Sequence, residues 1–203
     1  MSSRVALIVA GGNGTRFGSA LPKQYHAIAD HISILDHTVA VFQEHSQIDL
    51  VCVVVGKNHE IEPSIPYTYS GKTRQESVRN GLRFLKQYDP EYVLIHDAVR
   101  PFVSHYLISK VVNALENYEA VDVGLPIVDT IKTYDGEIIP RESIYATQTP
   151  QGFHFQTILD LHEQAIGEYT DDISLYLDSG RKNFVLVAGD RQNIKITYKE
   201  DLL

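Results

Sequence analysis

Along the chain, short runs of β-branched and other apolar residues alternate with longer stretches in which apolar positions recur every three or four residues. The runs at 5–10, 50–56, 92–96, 121–126, 184–188 and 194–198 predict strands, and the periodic stretches 34–44, 74–87, 104–117 and 155–166 predict helices. The first run, Val5 to Ala10, has no polar face, which suits a strand covered on both sides. Alternation of this kind predicts βαβ units: an α/β, Rossmann-like domain over residues 1–203, with a mostly parallel twisted sheet and helices on both faces. In such sheets ligands sit at the carboxyl ends of the strands, so motifs that directly follow strands are the ones to read for function.

One segment interrupts the rhythm. Between 129 and 149 the chain reads as two short polar strand-like pieces around Tyr134-Asp135-Gly136, an Asp-Gly turn signal. It has too few apolar residues for a core of its own. The expectation is a protruding β-hairpin arm that packs against a second copy of the chain, with an ordinary surface hairpin as the alternative.

Composition narrows the function classes. The 203 residues carry a net charge of −8, which disfavours a nucleic-acid partner. No apolar run approaches the ~20 residues of a membrane span, and no signal-like segment opens the chain, so the expectation is a cytoplasmic protein with no membrane contact. Cys52 is the single cysteine and lies inside an apolar run, which predicts a buried thiol and no disulfide. The nine histidines form no His-x-x-x-His or Cys/His cluster, so zinc is not expected. An acidic protein that binds polyphosphates must gather its cations locally and recruit a divalent metal.

Such a gathering follows the first strand. Ala10-Gly11-Gly12-Asn13-Gly14-Thr15-Arg16-Phe17-Gly18 and the exit Leu21-Pro22-Lys23-Gln24 place four glycines and the cations Arg16 and Lys23 in one loop. Glycines after a buried strand let the backbone approach an anion and aim N–H groups at it. The loop lacks the Gly-Lys-Ser/Thr of a P-loop, and its glycine spacing is one residue too long for the dinucleotide fingerprint.

Two further stretches carry chemistry. In Ser70-Gly71-Lys72-Thr73-Arg74-Gln75-Glu76-Ser77, Thr73 can cap a helix, and Gly71 with Ser77 can leave room for a flat base and its ribose. In 93–102 a hydrophobic strand ends at Asp97, a natural ligand for Mg²⁺, and Arg100 follows, able to grip a phosphate with two N–H groups. The structural alternative is an Asp97–Arg100 ion pair that closes a turn.

With Val-Asp-Thr-Ile-Lys at 128–132, Thr-Pro-Gln at 149–151, Thr-Asp-Asp at 170–172 and Asn-Ile-Lys-Ile-Thr at 193–197, these motifs occur in one order. Together they resemble the 2-C-methyl-D-erythritol 4-phosphate cytidylyltransferases of the non-mevalonate isoprenoid pathway, from about Val5 to Leu202. The resemblance implies that CTP and the sugar phosphate give 4-diphosphocytidyl-2-C-methyl-D-erythritol and pyrophosphate. It implies that Ala10, Gly11 and Gly12 line the CTP site, that Arg16 and Lys23 bind its phosphates, and that Gly71 and Ser77 hold the cytidine side. It places Mg²⁺ or another divalent cation on Asp97, and assigns Arg100, Thr149 and Lys195 to the acceptor or the reacting phosphates. Thr130 and Arg141, on the arm, would reach across a homodimer to the neighbouring site.

Some positions depart from the family's pattern. Ala-Gly-Gly stands at 10–12, Lys72 adds a cation beside the base site, and Gln192 stands where an acidic residue is common. The ribitol 5-phosphate cytidylyltransferases share several of the motifs, so a second polyol phosphate is an alternative acceptor. A non-catalytic nucleotide-binding module is the alternative from another class; retention of Arg16, Lys23, Asp97 and Lys195 together argues for catalysis.

Overall fold

The computed structural model describes residues 3–12, 14, 17–19, 21–29, 31–57 and 64–202. Arg16 lies outside the described residues. The first strand, β1 (Arg4–Ala10), has parallel neighbours on both sides, β4 (Leu50–Val55) and β6 (Tyr92–Asp97). Between β1 and β4 two short strands, β2 (Ala27–Ala29) and β3 (Ile32–Ser33), pair antiparallel outside this sheet, and a short parallel strand, β5 (Tyr67–Tyr69), extends it beyond β4. On the other flank, β10 (Tyr145–His154) runs antiparallel between β6 and β7 (Ala120–Pro126), and β11 (Phe184–Ala188) closes the edge parallel to β7. The described residues thus form a seven-stranded, mostly parallel sheet.

β1 is covered on both sides, as its unbroken apolar run predicts. Ala6, Ile8 and Ala10 pack into a cluster with α1 (Ile34–Gln43) and α3 (His105–Ala114). Val5 and Leu7 face the other layer, built by α2 (Arg74–Leu85), α4 (Phe155–Gln164) and α5 (Asp172–Asp178). Side chains alternate across a strand, so one run supplies both layers. Burial of a side chain such as Leu7 contributes roughly 1.5–3 kcal/mol. Cys52 belongs to the second layer, and burial pushes its thiol up to about 12.

After β1 the chain passes to one side for β4 and β5, then returns to the other side for β6. β1 therefore stands at the point where the strand order reverses, the place at which open α/β sheets bind ligands. In register, Val9 lies beside Asp97 and Ala10 beside Val55, so the glycine loop and the end of β6 share one sheet edge.

Two expectations require correction. The segment 194–198 is not a strand: its one sheet-like bond runs from Ile196 N–H to the Val99 carbonyl (2.9 Å), which belongs to a loop. Its alternation serves a different end, because Ile196 fills a small core with Phe17, Ile34 and Val99 while Lys195 turns to Asp97. The arm is shorter than 129–149. Its hairpin is β8 (Ile131–Lys132) with β9 (Ile138–Ile139), turning at Gly136 with φ 92°, and from Tyr145 onward the chain pairs with β7 inside the main sheet. β10 and α5 were not expected, because Pro150 and Gly152 interrupt the first and the second is only seven residues long. The proline is accommodated where the β10–β7 register shifts between Gln148 and Gly152.

Candidate active site

A cavity of about 870 Å³ opens at the carboxyl ends of β1, β4 and β6, and a smaller one of about 160 Å³ adjoins it beneath β10. Arg74, Asp97 and Lys195 line both. The larger cavity gathers Lys23, Lys57, Lys72, Arg74, Arg79 and Lys195 against Glu76 and Asp97, so cations prevail locally in a chain of net charge −8.

The first wall is the glycine loop. Ala10, Gly11, Gly12 and Gly14 line the cavity, and Gly14 has φ 62°, a left-handed conformation that favours glycine. Gln24, nearly inaccessible, holds the loop from beneath: its Nε2 donates to the carbonyls of Ala10 (2.7 Å) and Gly12 (3.0 Å). Those bonds occupy two carbonyls of the loop. Lys23 starts a single 3₁₀ turn after Pro22, and its Nζ donates to the Ile196 carbonyl at 2.7 Å.

The second wall is the start of α2. Thr73 caps the helix, accepting from Glu76 N–H at 3.1 Å as its position predicts. The Ser77 hydroxyl donates to the Thr73 carbonyl (2.7 Å) and accepts from Gly71 N–H (3.2 Å), which fixes the turn at Gly71. The two walls nearly touch, since a Cβ on Gly11 would stand 2.3 Å from the Ser70 Cβ.

Asp97 occupies the seam between the cavities, 8% exposed. Its Oδ2 accepts from Lys195 Nζ (2.7 Å) and its Oδ1 from Arg74 Nε (3.2 Å). Its backbone N–H donates to the Thr149 hydroxyl (3.1 Å), which also contacts His96 Nδ1 (3.1 Å). Burial alone would raise the Asp97 carboxyl, but Arg74, Lys195 and Arg100 reverse that and hold it below the ordinary carboxylate range. The Asp97–Arg100 turn is not closed by an ion pair between the side chains. The turn is closed by Arg100 N–H to the Asp97 carbonyl, while its guanidinium donates to the carbonyls of Asn193 (2.8 Å) and Thr147 (3.5 Å). It is buried, yet it lines the smaller cavity.

The structure brings Ala10, Gly11, Gly12, Lys23, Gly71, Ser77, Asp97 and Lys195 around the larger cavity, and Arg100 and Thr149 around the smaller. Thr130 and Arg141 are exposed and line neither, Arg141 donating to the Val128 carbonyl at 2.9 Å. The sequence singled out neither Gln24 nor Arg74 nor Asp172 as a site residue. The Thr-Asp-Asp motif at 170–172 was the available signal for Asp172. Among the described residues, no group of three His, Cys, Asp or Glu side chains could hold a metal alone, and no helix is long and apolar enough to cross a membrane.

Known proteins resemble this chain over nearly its whole length. The bifunctional enzyme IspD/IspF of Granulibacter bethesdensis is 39% identical over 207 residues, covering 97% of the chain and 54% of that protein. The 2-C-methyl-D-erythritol 4-phosphate cytidylyltransferase of Clostridioides difficile is 37% identical over 97% of the chain and 89% of its own length. The chain thus spans about half the length of the bifunctional relatives it matches. Among solved structures, the 4-diphosphocytidyl-2C-methyl-D-erythritol synthase of Anaerococcus prevotii superposes with a TM-score of 0.84 at 30% identity, over 99% of the chain and 93% of that one. The bifunctional IspDF of Campylobacter jejuni gives 0.86 at 26% identity, over 99% of the chain and 53% of that one. The family model for 2-C-methyl-D-erythritol 4-phosphate cytidylyltransferase (IspD) matches residues 4–203, and the chain belongs to that family.

Proposed function

We propose that the chain transfers the cytidylyl group of CTP to 2-C-methyl-D-erythritol 4-phosphate, giving 4-diphosphocytidyl-2-C-methyl-D-erythritol and pyrophosphate in the cytoplasm. One observation carries the reading: Asp97, Arg74 and Lys195 meet where a large cation-rich cavity joins a small polar one. The larger cavity suits a nucleoside triphosphate and the smaller a short polyol phosphate.

An oxygen of the acceptor's phosphate attacks the α-phosphorus in line, forming a P–O bond as the bond to pyrophosphate breaks. A phosphate dianion is already a competent nucleophile, so no covalent enzyme intermediate and no proton abstraction are needed. Catalysis is positioning and charge neutralisation. Lys23, Arg16 and Lys195 supply the positive charge for the α-phosphate and the leaving group. The Gly11–Gly12 backbone, braced by the Gln24 bonds to the Ala10 and Gly12 carbonyls, allows close approach of the triphosphate.

The donor set fits magnesium only in the form that takes one carboxylate and fills its shell with phosphate oxygens and water. Asp97 would be that carboxylate, and the bound ion would neutralise phosphate charge. On this reading the arm carries Thr130 and Arg141 to the acceptor site of a second copy in a homodimer. Sedimentation of the intact chain and of one lacking residues 131–139 tests this; a parent that sediments as a monomer refutes the dimer.

The decisive assay mixes the protein with CTP, Mg²⁺ and either methylerythritol 4-phosphate or ribitol 5-phosphate and follows pyrophosphate release. Release with the first acceptor is expected. Release with ribitol phosphate alone reassigns the acceptor, and release with neither leaves a nucleotide-binding module.

A further inference from the structure

Arg74 stands between two carboxylates. Its Nε donates to Asp97 Oδ1 at 3.2 Å and its Nη1 to Asp172 Oδ2 at 2.8 Å. Asp172, with a side chain 1% exposed, is the first residue of α5. Its other oxygen meets His162 Nε2 at 3.0 Å, and His162 is equally buried on α4. An ionised carboxylate only accepts, so Nε2 carries the proton. Gln151, wholly buried on β10, accepts from the backbone N–H of Asp172 (3.1 Å) and of Ile173 (3.2 Å). Asp172 is therefore held through its backbone and both carboxylate oxygens.

The result is one chain of contacts, His162–Asp172–Arg74–Asp97–Lys195, running from the core to the seam of the site. The two cations that meet Asp97 differ. Lys195 has a side chain 40% exposed, a flexible stem, and a place on both cavities. Arg74 has a planar guanidinium whose separate nitrogens are committed to two carboxylates, one of them immobile.

We propose that Arg74 is a positioning residue for the transfer step, acting as the permanent counter-ion of Asp97 with Asp172 as its anchor. The proposal rests on the cytidylyl-transfer reading. Lys195 is then the exchangeable partner. It can leave Asp97 for a phosphate oxygen without stranding a buried carboxylate, because Arg74 stays behind. A buried charge deprived of every partner would be strongly disfavoured, and that would hold Lys195 in place. Asp172 acts only through Arg74, since it lines neither cavity.

The test uses Asp172→Asn, Arg74→Lys and the double variant, each of which keeps a hydrogen-bonding group at the altered position. Three quantities are read: kcat by pyrophosphate release, CTP affinity by calorimetry, and the melting temperature. Asp172→Asn should lose about tenfold or more in kcat while CTP affinity stays within about threefold, since an anchored electrostatic group acts on the transition state. Arg74→Lys should lose at least as much, because one ammonium cannot span both carboxylates. The double variant should be no slower than Arg74→Lys, the signature of two residues that act as one unit. Parent-like kcat in Asp172→Asn overturns the proposal, as do single losses that multiply in the double variant. CTP affinity falling in step with kcat also overturns it, since a merely structural role would do that. If Asp172→Asn does not fold, Arg74→Lys decides by the same split between kcat and CTP affinity. A parent that releases no pyrophosphate with either acceptor removes the underlying reading. A parent that turns over while Asp172→Asn keeps pace removes only the positioning role.

Discussion

Lys195 and Asp97 are separated by 98 residues of chain, yet the lysine Nζ lies 2.7 Å from the carboxylate Oδ2. The C-terminal segment reaches the end of β6 because Ile196 is buried beside Val99, which leaves its neighbour Lys195 facing the seam. Lys195→Ala should therefore cost turnover while changing the fold little, because Arg74 still neutralises Asp97. Removal of one transition-state donor costs about 10²–10³ in kcat. A kcat within threefold of the parent by pyrophosphate release would exclude Lys195 from the chemistry.

Lys23 reaches the same segment from the other side, through its bond to the Ile196 carbonyl. Lys23→Ala should lower kcat by a comparable ~10²–10³, with far-UV circular dichroism unchanged. The combination Lys23→Ala with Lys195→Ala should fall short of the product of the two losses, since both cations serve the same phosphates. Near-full activity in Lys23→Ala would remove the core of the proposed reaction.

Gly11 is where the two walls of the nucleotide cavity meet. A methyl group there would stand 2.3 Å from the Ser70 Cβ and 2.9 Å from its hydroxyl oxygen, so the glycine loop must move outward. Gly11→Ala should weaken CTP binding in calorimetry by about tenfold, and overpacking should lower stability by about 1–3 kcal/mol. Parent-like CTP affinity would show that the loop's approach to Ser70 is dispensable.

His96 supplies a pH dependence. Burial pushes its imidazole down to about 4, only partly countered by the Arg100 carbonyl that accepts from its Nε2. The unfolded value, about 6.5, is higher, so between those limits the unfolded chain binds more protons and stability rises with pH. The contribution is fully present above pH 6.5 and is lost as pH falls through 4. A shift of this size corresponds to about 3 kcal/mol, or roughly 6–12 °C in melting temperature for a chain of this length. Below pH 4 the depressed Asp97 and Asp172 carboxyls continue the loss, since each contributes stability that is complete above its unfolded value and is lost as pH falls toward its lower folded one. His96→Gln should flatten the melting-temperature profile between pH 6.5 and 4. An unchanged slope in that variant would show that another group carries it.

The chain's own order of residues determined a great deal. Unbroken apolar runs at β1 and β6, with helical periodicity between strands, identify a parallel sheet and its two layers, because strand and helix patterns depend on neighbours only a few positions away. Placement of Asp97 and the glycine loop at strand ends follows from the same local patterns. Long-range pairing lay beyond them. β10 is broken by Pro150 and Gly152, and only its neighbours β6 and β7 make it a strand. Gln24 reads as a surface amide until β1 and the 3₁₀ turn come together, when it becomes the support of the Ala10 and Gly12 carbonyls. Arg74 has no role legible in the sequence; the tertiary structure places it between Asp97 and Asp172, 23 residues before one and 98 before the other. Local composition can specify a helix cap or a buried run, but the partner of a charge is chosen by the sheet order, and that order depends on all the strands at once.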